Sequence, residues 1–399
     1  MISSPIQYNS ASTFPTDLKT APFLGLPSYS EFFLRGAARQ SDNGVFRAYA
    51  SKGAGNEMTT AGRCRLEEGP LGLPGALLRR FPWLAEALAP CVVVVLENPF
   101  ARPRAAAGWG RKPSYGWARH VARMRGLACW TLEDGFFRSV GLGKRDAPAW
   151  SLALDRTGIY FDGRTPSDME ALLRAGAQPQ VLARGACLRD LIVRRRLTKY
   201  NHVPDRPVRF EVPAAARRIL VVDQVAGDQS LRGAGADAGA FTAMLESARA
   251  AAREEGAAVV VKTHPDVAAR LQRGMVTHVA GRGLILAPAE AHPHALFDAV
   301  DEVWTASSQL GFEALLRGLP TRCFAAPFYA GWGLTHDSPA TPAAAAILAR
   351  RAGTPVALDA LAEAAIGRYP LYFDTERCRP VTAEEGLERL AVARDRAVG

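Results

Sequence analysis

Polar side chains follow apolar runs in the second half of the sequence, in a pattern typical of phosphate binding. Lys262 and His264 come at the end of the run Ala257–Lys262, and Ser307 and Ser308 come just ahead of a helical stretch. Backbone N–H groups at a helix N-terminus attract anions, so these residues predict one phosphate-sized pocket. Two simpler interpretations stay open: the serines cap the helix, and the imidazole is a buried structural group.

Carboxylates after another run could supply a nucleophile or a base. Asp223 and Gln224 end the run Arg217–Gln224, and Asp228 lies in the loop that follows. A loop at the carboxyl end of a parallel strand faces the ligand cleft, where a carboxylate can attack an electrophile or remove a proton. The alternative is that Asp228 closes a turn beside Gly227.

A second pair of acids, Glu133 and Asp134, ends the run Ala128–Asp134 in the first half of the sequence. Side chains of neighbouring residues on a strand point to opposite faces of the sheet. Only one of the two acids can therefore face a cleft, and the other is expected to have a structural partner.

The elements that must position these groups alternate between strands and helices. In the first half we predict strands at Cys91–Leu96, Ala128–Asp134 and Ile159–Phe161, a helix at Tyr115–Arg125, and a helix capped by Ser167. In the second half we predict strands at Arg217–Gln224, Ala257–Lys262, Leu284–Pro288, Asp301–Ser308 and Thr321–Pro327, and a helix at Ala240–Glu255. This alternation predicts an α/β protein with two facing Rossmann-like domains.

Changes in composition along the chain predict the domain boundaries. Residues 1–85 mix Ser, Thr, Gly and Pro without a sustained period and are expected to form an irregular N-terminal extension. Residues 86–208 and 209–345 form the two Rossmann-like domains, with a hinge at Pro204–Pro213 between them. Residues 346–399 are expected to form a C-terminal helical segment.

Composition predicts a globular protein of the cytoplasm that acts on anions. Of 399 residues, 48% are hydrophobic and 22% charged, and the longest apolar stretch is far shorter than the roughly 18 residues of a membrane span. The six cysteines show no metal-finger spacing, and the N-terminus shows no secretory signal. The net charge of +10 favours phosphates, acidic sugars or an anionic membrane surface, although an arginine-rich composition explains it equally well. The arginines are scattered, so no nucleic acid partner is expected.

A series of motifs follows in a fixed order from Trp109 to Thr335. The first half contains Trp109-Gly110-Arg111-Lys112-Pro113-Ser114, Leu132-Glu133-Asp134-Gly135-Phe136-Phe137-Arg138-Ser139, Gly158-Ile159-Tyr160-Phe161-Asp162 and Leu197-Thr198-Lys199-Tyr200-Asn201. The second half contains Val222-Asp223-Gln224 with Asp228, His264-Pro265-Asp266-Val267, Ser308-Gln309 with Gly311-Phe312-Glu313, and Phe328-Tyr329-Ala330-Gly331-Trp332-Gly333. In this order the motifs resemble the capsule-polysaccharide β-Kdo transferases of KpsC type. The resemblance is greater to the N-terminal module of those two-module proteins, and this chain carries one such module.

The resemblance implies a glycosyltransferase of B-type architecture, an enzyme that moves the acidic sugar Kdo from CMP-β-Kdo to a lipid-linked or Kdo-primed glycan in capsule biosynthesis. Retention of configuration at the anomeric carbon is implied as well. Asp228 matches the catalytic Asp of the family and would be the nucleophile. Glu133 would activate the acceptor hydroxyl, with Asp134 as its alternate.

The resemblance also assigns binding roles. The donor-binding residues would be Gln224, Lys262, His264, Pro265, Ser307, Ser308 and Glu313. Among these, His264 and the two serines would hold the CMP phosphate, and Glu313 would hydrogen-bond the ribose. The acceptor-side residues would be Arg138, Lys112 and Ser114.

Expected partners are CMP-Kdo, a lipid-linked glycan acceptor and the capsule export machinery, at the cytoplasmic face of the inner membrane. No metal and no cofactor other than the donor substrate is expected. Two rival functions stay open. One is a sialyltransferase-like enzyme that uses the same phosphate pocket with a different CMP-sugar. The other is a non-catalytic component of capsule export.

Overall fold

Two β-sheets with helices packed against them organise the part of the chain that the structure describes. In this computed structural model, the described residues are 45–46, 69–142, 147–268, 272–276 and 283–398. They all belong to one unit, Gln40–Gly399. The predicted α/β class with two sheets is confirmed.

Strands and helices alternate along most of the described chain. The strands are β1 (Val45–Phe46), β2 (Leu71–Leu73), β3 (Val93–Val95), β4 (Ala105–Trp109), β5 (Ala128–Asp134), β6 (Ser151–Asp155), β7 (Arg218–Val222), β8 (Ala258–Lys262), β9 (Ile285–Leu286), β10 (Glu302–Thr305), β11 (Thr321–Cys323), β12 (His336–Asp337), β13 (Pro370–Asp374) and β14 (Arg379–Val381). The helices are α1 (Gly75–Arg80), α2 (Leu84–Ala87), α3 (Pro113–Arg125), α4 (Asp168–Arg174), α5 (Pro179–Arg195), α6 (Gln229–Gly233), α7 (Ala238–Glu255), α8 (Pro265–Ala268), α9 (Pro293–Asp298), α10 (Gln309–Leu316), α11 (Pro342–Arg351), α12 (Leu358–Ala362) and α13 (Ala383–Val398). A π-helical segment, Glu363–Arg368, follows α12 directly. The sheet that contains β1 to β6, β13 and β14, together with its helices, is called the first lobe. The sheet that contains β7 to β12, together with its helices, is called the second lobe.

The sheet of the first lobe is mixed, with the strand order β1-β3-β2-β4-β5-β6-β13-β14. The pairs from β3 through β5 are parallel, and the pairs from β5 through β14 are antiparallel. The predicted strand Ala128–Asp134 is confirmed as β5. Its carboxyl end, with Glu133 and Asp134, therefore lies near the middle of the sheet.

The strand predicted at Ile159–Phe161 is wrong, since these residues form a turn. The strand next to β5 is instead β6, in which Ala153 pairs with Glu133. The last residue of β6, Asp155, ends the strand: its Oδ1 accepts hydrogen bonds from the backbone N–H groups of Thr157, at 2.9 Å, and Gly158, at 2.6 Å. These bonds turn the chain before residue 159, so the apolar run that follows packs as a turn rather than a strand.

The sheet of the second lobe is parallel throughout, in the order β12-β11-β10-β7-β8-β9. The strands predicted from the apolar runs of the second half are all present, and each is shorter than its run. Because β7 lies between β8 and β10, the carboxyl ends of these three strands lie side by side. This is the edge where open α/β sheets bind ligands.

Several helices begin and end at residues that satisfy their free backbone groups. Ser167 caps α4 as predicted, since its side chain accepts a hydrogen bond from the N–H of Glu170. Asp237 caps α7 in the same way, and α7 ends at Gly256, whose φ of +67° suits glycine. None of the helices in the described ranges is both long and apolar enough to cross a membrane.

The ends of the first lobe differ from prediction. Within the predicted irregular extension, residues 71–80 form β2 and α1, so ordered structure begins before residue 85; most of residues 1–68 lie outside the described residues. The C-terminal segment, predicted as helical, contributes two strands to the first sheet. β13 pairs antiparallel with β6, with Tyr372 opposite Ser151. The two strands are distant in sequence, so a local pattern could not reveal their pairing.

A buried histidine pair lies where the two lobes meet. The ring of His294 is hydrogen-bonded through Nε2 to the carbonyl of Leu197 at 2.9 Å. Leu197 follows α5, the last helix of the first lobe before β7. His292 caps α9, because its Nδ1 accepts a hydrogen bond from the N–H of His294. Burial lowers the pKa of His292 to about 4 and that of His294 to about 3. Both rings are therefore neutral at neutral pH.

This pair should make the protein less stable as the pH falls from about 6.5 toward 4. In that window the two histidines bind protons in the unfolded chain but stay neutral in the folded protein. The free energy of unfolding therefore decreases by about 1.4 kcal/mol per pH unit for each histidine as the pH falls. Urea unfolding at pH 6.5 and pH 5 measures the slope. The double variant His292→Gln/His294→Gln should flatten it, whereas the exposed His120→Gln should not; equal slopes in all three proteins would contradict the prediction.

Candidate active site

The carboxyl end of β7 is tied to that of β10 by one side chain. The amide of Gln224 accepts a hydrogen bond from the N–H of Ser307, at 2.9 Å, and donates one to the Ser307 hydroxyl, at 3.1 Å. His264 follows β8, the strand on the other side of β7. The structure therefore places His264, Gln224 and Ser307 on adjacent strand ends, at the edge predicted to bind a phosphate.

Asp223 holds the neighbouring backbone in place. Its carboxylate is buried, and Oδ1 accepts hydrogen bonds from the N–H groups of Gln224, Met275 and Val276 at 2.8–2.9 Å. The segment 272–276 is thereby fixed beside the carboxyl end of β7. Asp223 is a positioning residue for this edge of the site.

Asp228 is exposed at the N-terminus of the short helix α6. Its Oδ1 accepts a hydrogen bond from the N–H of Ser230 at 2.8 Å, so the turn interpretation holds for one carboxylate oxygen. At its other end, α6 meets the first lobe: the Gly233 carbonyl accepts a hydrogen bond from the N–H of Gly163, at 2.9 Å. A side chain at position 233 would collide with the Phe161 carbonyl, so glycine is required there. Asp228 is therefore carried by an element that connects the second lobe to the first.

Lys262 and Pro265 are placed less directly toward a phosphate. The ammonium of Lys262 is buried and donates a hydrogen bond to the carbonyl of Ala289, at 2.6 Å, in the loop after β9. Burial lowers the pKa of Lys262 to about 8. Pro265 is the first residue of α8, and the carbonyl of His264 accepts the first hydrogen bonds of that helix.

Ser308 caps α10, the alternative that the sequence left open. Its Oγ accepts a hydrogen bond from the N–H of Leu310, at 3.3 Å. The Tyr329 hydroxyl donates to the Ser308 carbonyl at 2.6 Å, and it lies so close to Gly311 that no side chain fits at that position. The motifs that contain Ser308, Gly311 and Tyr329 therefore fix one another at the start of α10.

Glu313 lies between the two lobes instead of lining an open pocket. Its side chain is only 3% exposed and accepts hydrogen bonds from the Thr198 hydroxyl, at 2.6 Å, and from the Lys199 N–H, at 3.3 Å. Gln309 donates to it as well, at 3.0 Å. Burial raises the pKa of Glu313 to about 7, while these donors favour the charged form. The structure thus gives Glu313 an interlobe role that the sequence did not predict.

Glu133 is held rigidly at the carboxyl end of β5. Its Oε1 accepts a hydrogen bond from the Trp109 indole N–H, at 2.9 Å. Its Oε2 would lie 2.5 Å from a Cβ at Gly110, so only glycine fits beside it, and the φ of +51° also favours glycine. Burial and the nearby Asp134 charge raise the pKa of Glu133 to about 7, against the opposing effect of Lys112.

Asp134 and Arg138 form an ion pair, with Nε 2.7 Å from Oδ1. Arg138 is 3% exposed and also donates to the Ala147 carbonyl at 2.8 Å. The two acids of β5 thus have different partners, as the alternation of a strand predicts. Arg138, predicted on the acceptor side, is a buried structural cation.

The other two predicted acceptor-side residues, Lys112 and Ser114, both lie near Trp109. Lys112 is exposed, and its ammonium is 5.9 Å from the centre of the Trp109 ring. The Ser114 hydroxyl accepts a hydrogen bond from the backbone N–H of Trp109 at 3.2 Å. Lys112 is therefore near the indole that donates to Glu133, and Ser114 holds the backbone of the same residue.

Aromatic residues of several motifs form a core between the lobes that sequence reasoning missed. The ring of Phe136 lies 4.6 Å from that of Tyr160, 4.6 Å from that of Phe328 and 5.5 Å from that of Phe312. Gln309 donates a hydrogen bond to the Phe136 carbonyl at 2.6 Å. The signal in the sequence was that an aromatic residue occurs in each of four motifs distant from one another.

A model of the family described as "capsule polysaccharide biosynthesis protein" matches residues 104–206 and 178–372 of the chain. The capsule polysaccharide modification protein LipA of Neisseria meningitidis serogroup B is 37% identical over 272 residues, which cover 66% of this chain and 38% of LipA. The lipopolysaccharide-processing protein LpsZ of Rhizobium meliloti is 37% identical over 276 residues, covering 68% of this chain and 60% of LpsZ. The chain thus spans about two fifths of LipA and three fifths of LpsZ.

Solved structures with the same fold include two from Thermosulfurimonas dismutans KpsC. The structure titled β-Kdo 2,4 transferase is 33% identical with a TM-score of 0.71, covering 81% of this chain and 98% of that one. The structure titled β-Kdo 2,7 transferase is 23% identical with a TM-score of 0.58, covering 82% of this chain and 99% of that one. The resemblance seen in the motifs is confirmed, and the chain belongs to the capsule polysaccharide biosynthesis protein family.

Proposed function

We propose that this protein is a retaining glycosyltransferase that moves Kdo from CMP-β-Kdo to a lipid-linked or Kdo-primed glycan during capsule biosynthesis. The observation that carries the proposal is the pair of acids on the two lobes. Asp228 is exposed on α6, which connects the lobes, and Glu133 is held in the first lobe with a raised pKa. The similarity to a structure titled β-Kdo 2,4 transferase supports the choice of sugar.

In the first step, the Asp228 carboxylate attacks the anomeric carbon of Kdo while the bond from that carbon to the CMP phosphate breaks. CMP leaves with the bonding electrons, and Kdo is joined to Asp228 as an ester. His264, Ser307 and Ser308 at the strand ends bind the phosphate, and Gln224 holds Ser307 in place. These roles are proposals supported by the position of the residues at adjacent strand ends.

In the second step, the acceptor hydroxyl attacks the same carbon and the ester bond to Asp228 breaks, so the original configuration returns. Glu133 takes the proton of that hydroxyl. A carboxylate with a pKa of about 7 is suited to this task near neutral pH, since it is both available and sufficiently basic. Lys112 and Ser114 act through Trp109, which binds Glu133.

The remaining predicted residues act through the framework in this proposal. Lys262 holds the loop after β9 at the donor pocket, and Pro265 begins the short helix beside His264. Glu313 and Arg138 fix the backbone near the cleft. Asp134 keeps its role as the alternate base, paired with Arg138.

Purified protein should transfer Kdo from CMP-β-Kdo to a Kdo-primed acceptor, with formation of a β-linkage as determined by linkage analysis. CMP-sialic acid should neither serve as donor nor compete better than CMP alone. Transfer from CMP-sialic acid only would favour the sialyltransferase alternative. Failure to bind either CMP-sugar in calorimetry would favour the non-catalytic export role.

The proposed place of action is the cytoplasmic face of the inner membrane, in contact with the capsule export machinery. The net charge of +10 supports attraction to an anionic surface. Flotation with anionic vesicles at low salt should carry the protein upward, and salt should release it. Protein that stays at the bottom of the gradient at low salt would contradict this part of the proposal.

A further inference from the structure

The backbone around Lys199 is fixed on all sides. Its N–H donates to Glu313 at 3.3 Å, and its carbonyl accepts a hydrogen bond from the Arg138 N–H at 3.1 Å. The side chain of Asn201 spans the turn, donating to the carbonyls of Thr198, at 2.8 Å, and Ser139, at 3.0 Å. The segment is therefore a rigid support from which the Lys199 side chain projects.

The ammonium group of Lys199 takes no part in this support. Within the described ranges, it donates no hydrogen bond and forms no ion pair with any residue. Its nearest ring is that of Tyr200, whose centre is 5.6 Å away, and the residue is partly exposed. A half-buried ammonium group whose hydrogen-bond donors are unused among the described residues is available to bind an anionic group of a ligand.

The groups around Lys199 keep it charged. Burial opposes the charge, but Tyr200, Tyr160, Asp134 and Glu133 together raise the pKa of Lys199 above its usual range. The same Lys199 charge acts on Glu133 and lowers its pKa, although less than burial raises it. Lys199 is therefore a permanent cation beside the proposed base, at the place where the acceptor hydroxyl and the transferred sugar must meet.

We propose that the Lys199 ammonium binds the carboxylate of an acidic sugar in the active site. The inference rests on the proposed function and deepens it, because it names the group that distinguishes an acidic sugar from a neutral one. The carboxylate could belong to the sugar being transferred or to the last sugar of the acceptor. Either source provides a carboxylate that can accept a charge-assisted hydrogen bond from the ammonium group.

Lys199→Met is the main test, because the structural contacts of this residue come from its backbone and the segment should stay folded. Binding of free Kdo and of its carboxyl-reduced derivative is measured by ligand-observed NMR, for the wild type, Lys199→Met and Lys199→Arg. We expect Lys199→Met to weaken Kdo binding about 10- to 100-fold and to leave the carboxyl-reduced sugar unaffected. Lys199→Arg should keep most of the affinity. Equal affinity of the wild type and Lys199→Met for Kdo would overturn the proposal.

Because this measurement needs no turnover, it separates the fate of the carboxylate site from that of the proposed transferase activity. Steady-state kinetics then assign the carboxylate. A rise in the KM for CMP-β-Kdo alone assigns it to the transferred sugar, and a rise in the KM for the acceptor alone, absent with a carboxyl-reduced acceptor, assigns it to the acceptor. If Lys199→Met changes neither KM and only shifts the pH profile of kcat to higher pH, then Lys199 merely tunes Glu133 and the proposal is overturned.

Discussion

Asp228→Asn should reduce transfer by about a thousandfold or more and change the affinity for CMP only slightly. The amide keeps the size of the side chain and can still accept the hydrogen bond from the Ser230 N–H, so α6 should keep its cap. It cannot form an ester with the sugar. Initial rates with CMP-β-Kdo and acceptor, together with calorimetry with CMP, measure the two effects.

The matched control for this variant is Asp237→Asn. Asp237 caps the next helix, α7, by accepting a hydrogen bond from the Ala240 N–H at 3.2 Å. It therefore makes the same kind of contact in the same lobe without a proposed role in chemistry. The control should transfer at close to the wild-type rate.

Mass spectrometry provides the direct readout of the covalent step. Wild-type protein supplied with CMP-β-Kdo and no acceptor should carry Kdo on the peptide that contains Asp228, and Asp228→Asn should not. If Asp228→Asn keeps substantial transfer, the covalent route through this residue is wrong. If it loses CMP binding as well as transfer, Asp228 is instead a structural residue of its loop.

Glu170→Ala should destabilise the fold by about 3–5 kcal/mol, because it leaves a buried arginine without its partner. The Arg351 side chain is 1% exposed, and its Nε donates to Glu170 Oε1 at 3.0 Å. Arg351 also donates to the carbonyls of Pro327, at 2.5 Å, and Ala330, at 3.1 Å. Arg351, the last residue of α11, thus joins α4 of the first lobe to the loop that presents Tyr329 to α10.

Urea unfolding followed by circular dichroism measures the loss, with Glu385→Ala as the control. Glu170 accepts hydrogen bonds from Arg350 as well as from Arg351, and Glu385 likewise accepts them from two arginines, Arg379 and Arg389. The pairing of Glu385 is partly exposed to solvent and should be worth less than about 1 kcal/mol. The double variant Glu170→Met/Arg351→Met should recover much of the stability, since it removes the stranded charge. A loss in Glu170→Ala no larger than that in Glu385→Ala would contradict this account.

The second lobe was the more predictable part of the molecule. Its strands are buried on both faces and appear as short apolar runs, and the polar residues after them gather at one edge because all the strands are parallel. This is why Gln224, His264 and Ser307 could be placed together from sequence. The same reasoning could not distinguish ligand contacts from contacts within the protein, as Lys262 demonstrates.

The parts that could not be predicted depend on contacts between distant segments. The burial of Glu313 depends on Thr198 from the other lobe. Arg138 is held by the carbonyl of Ala147, which lies nine residues further along the chain. Alternation along a strand correctly indicated that Glu133 and Asp134 have different partners, but not which one faces the cleft. The motifs indicated the family, but their aromatic residues gave no sign of where they pack. In the structure, the ring of Phe136 in the first lobe packs against Phe312 and Phe328 of the second.

The pairing of β13 with β6 also determines the order in which the two lobes can be completed on the ribosome. The strands of the second lobe all lie within 218–337, so that lobe can close as soon as this stretch has emerged. The first lobe begins earlier, but β6 gains its second neighbour only when Pro370–Asp374 has been synthesised. Until then, Ser151–Asp155 is an open sheet edge that another chain could pair with. The first lobe is therefore the first to be synthesised in part and the last to complete its sheet. We expect the exposed edge of β6 to be its main site of misassembly during synthesis.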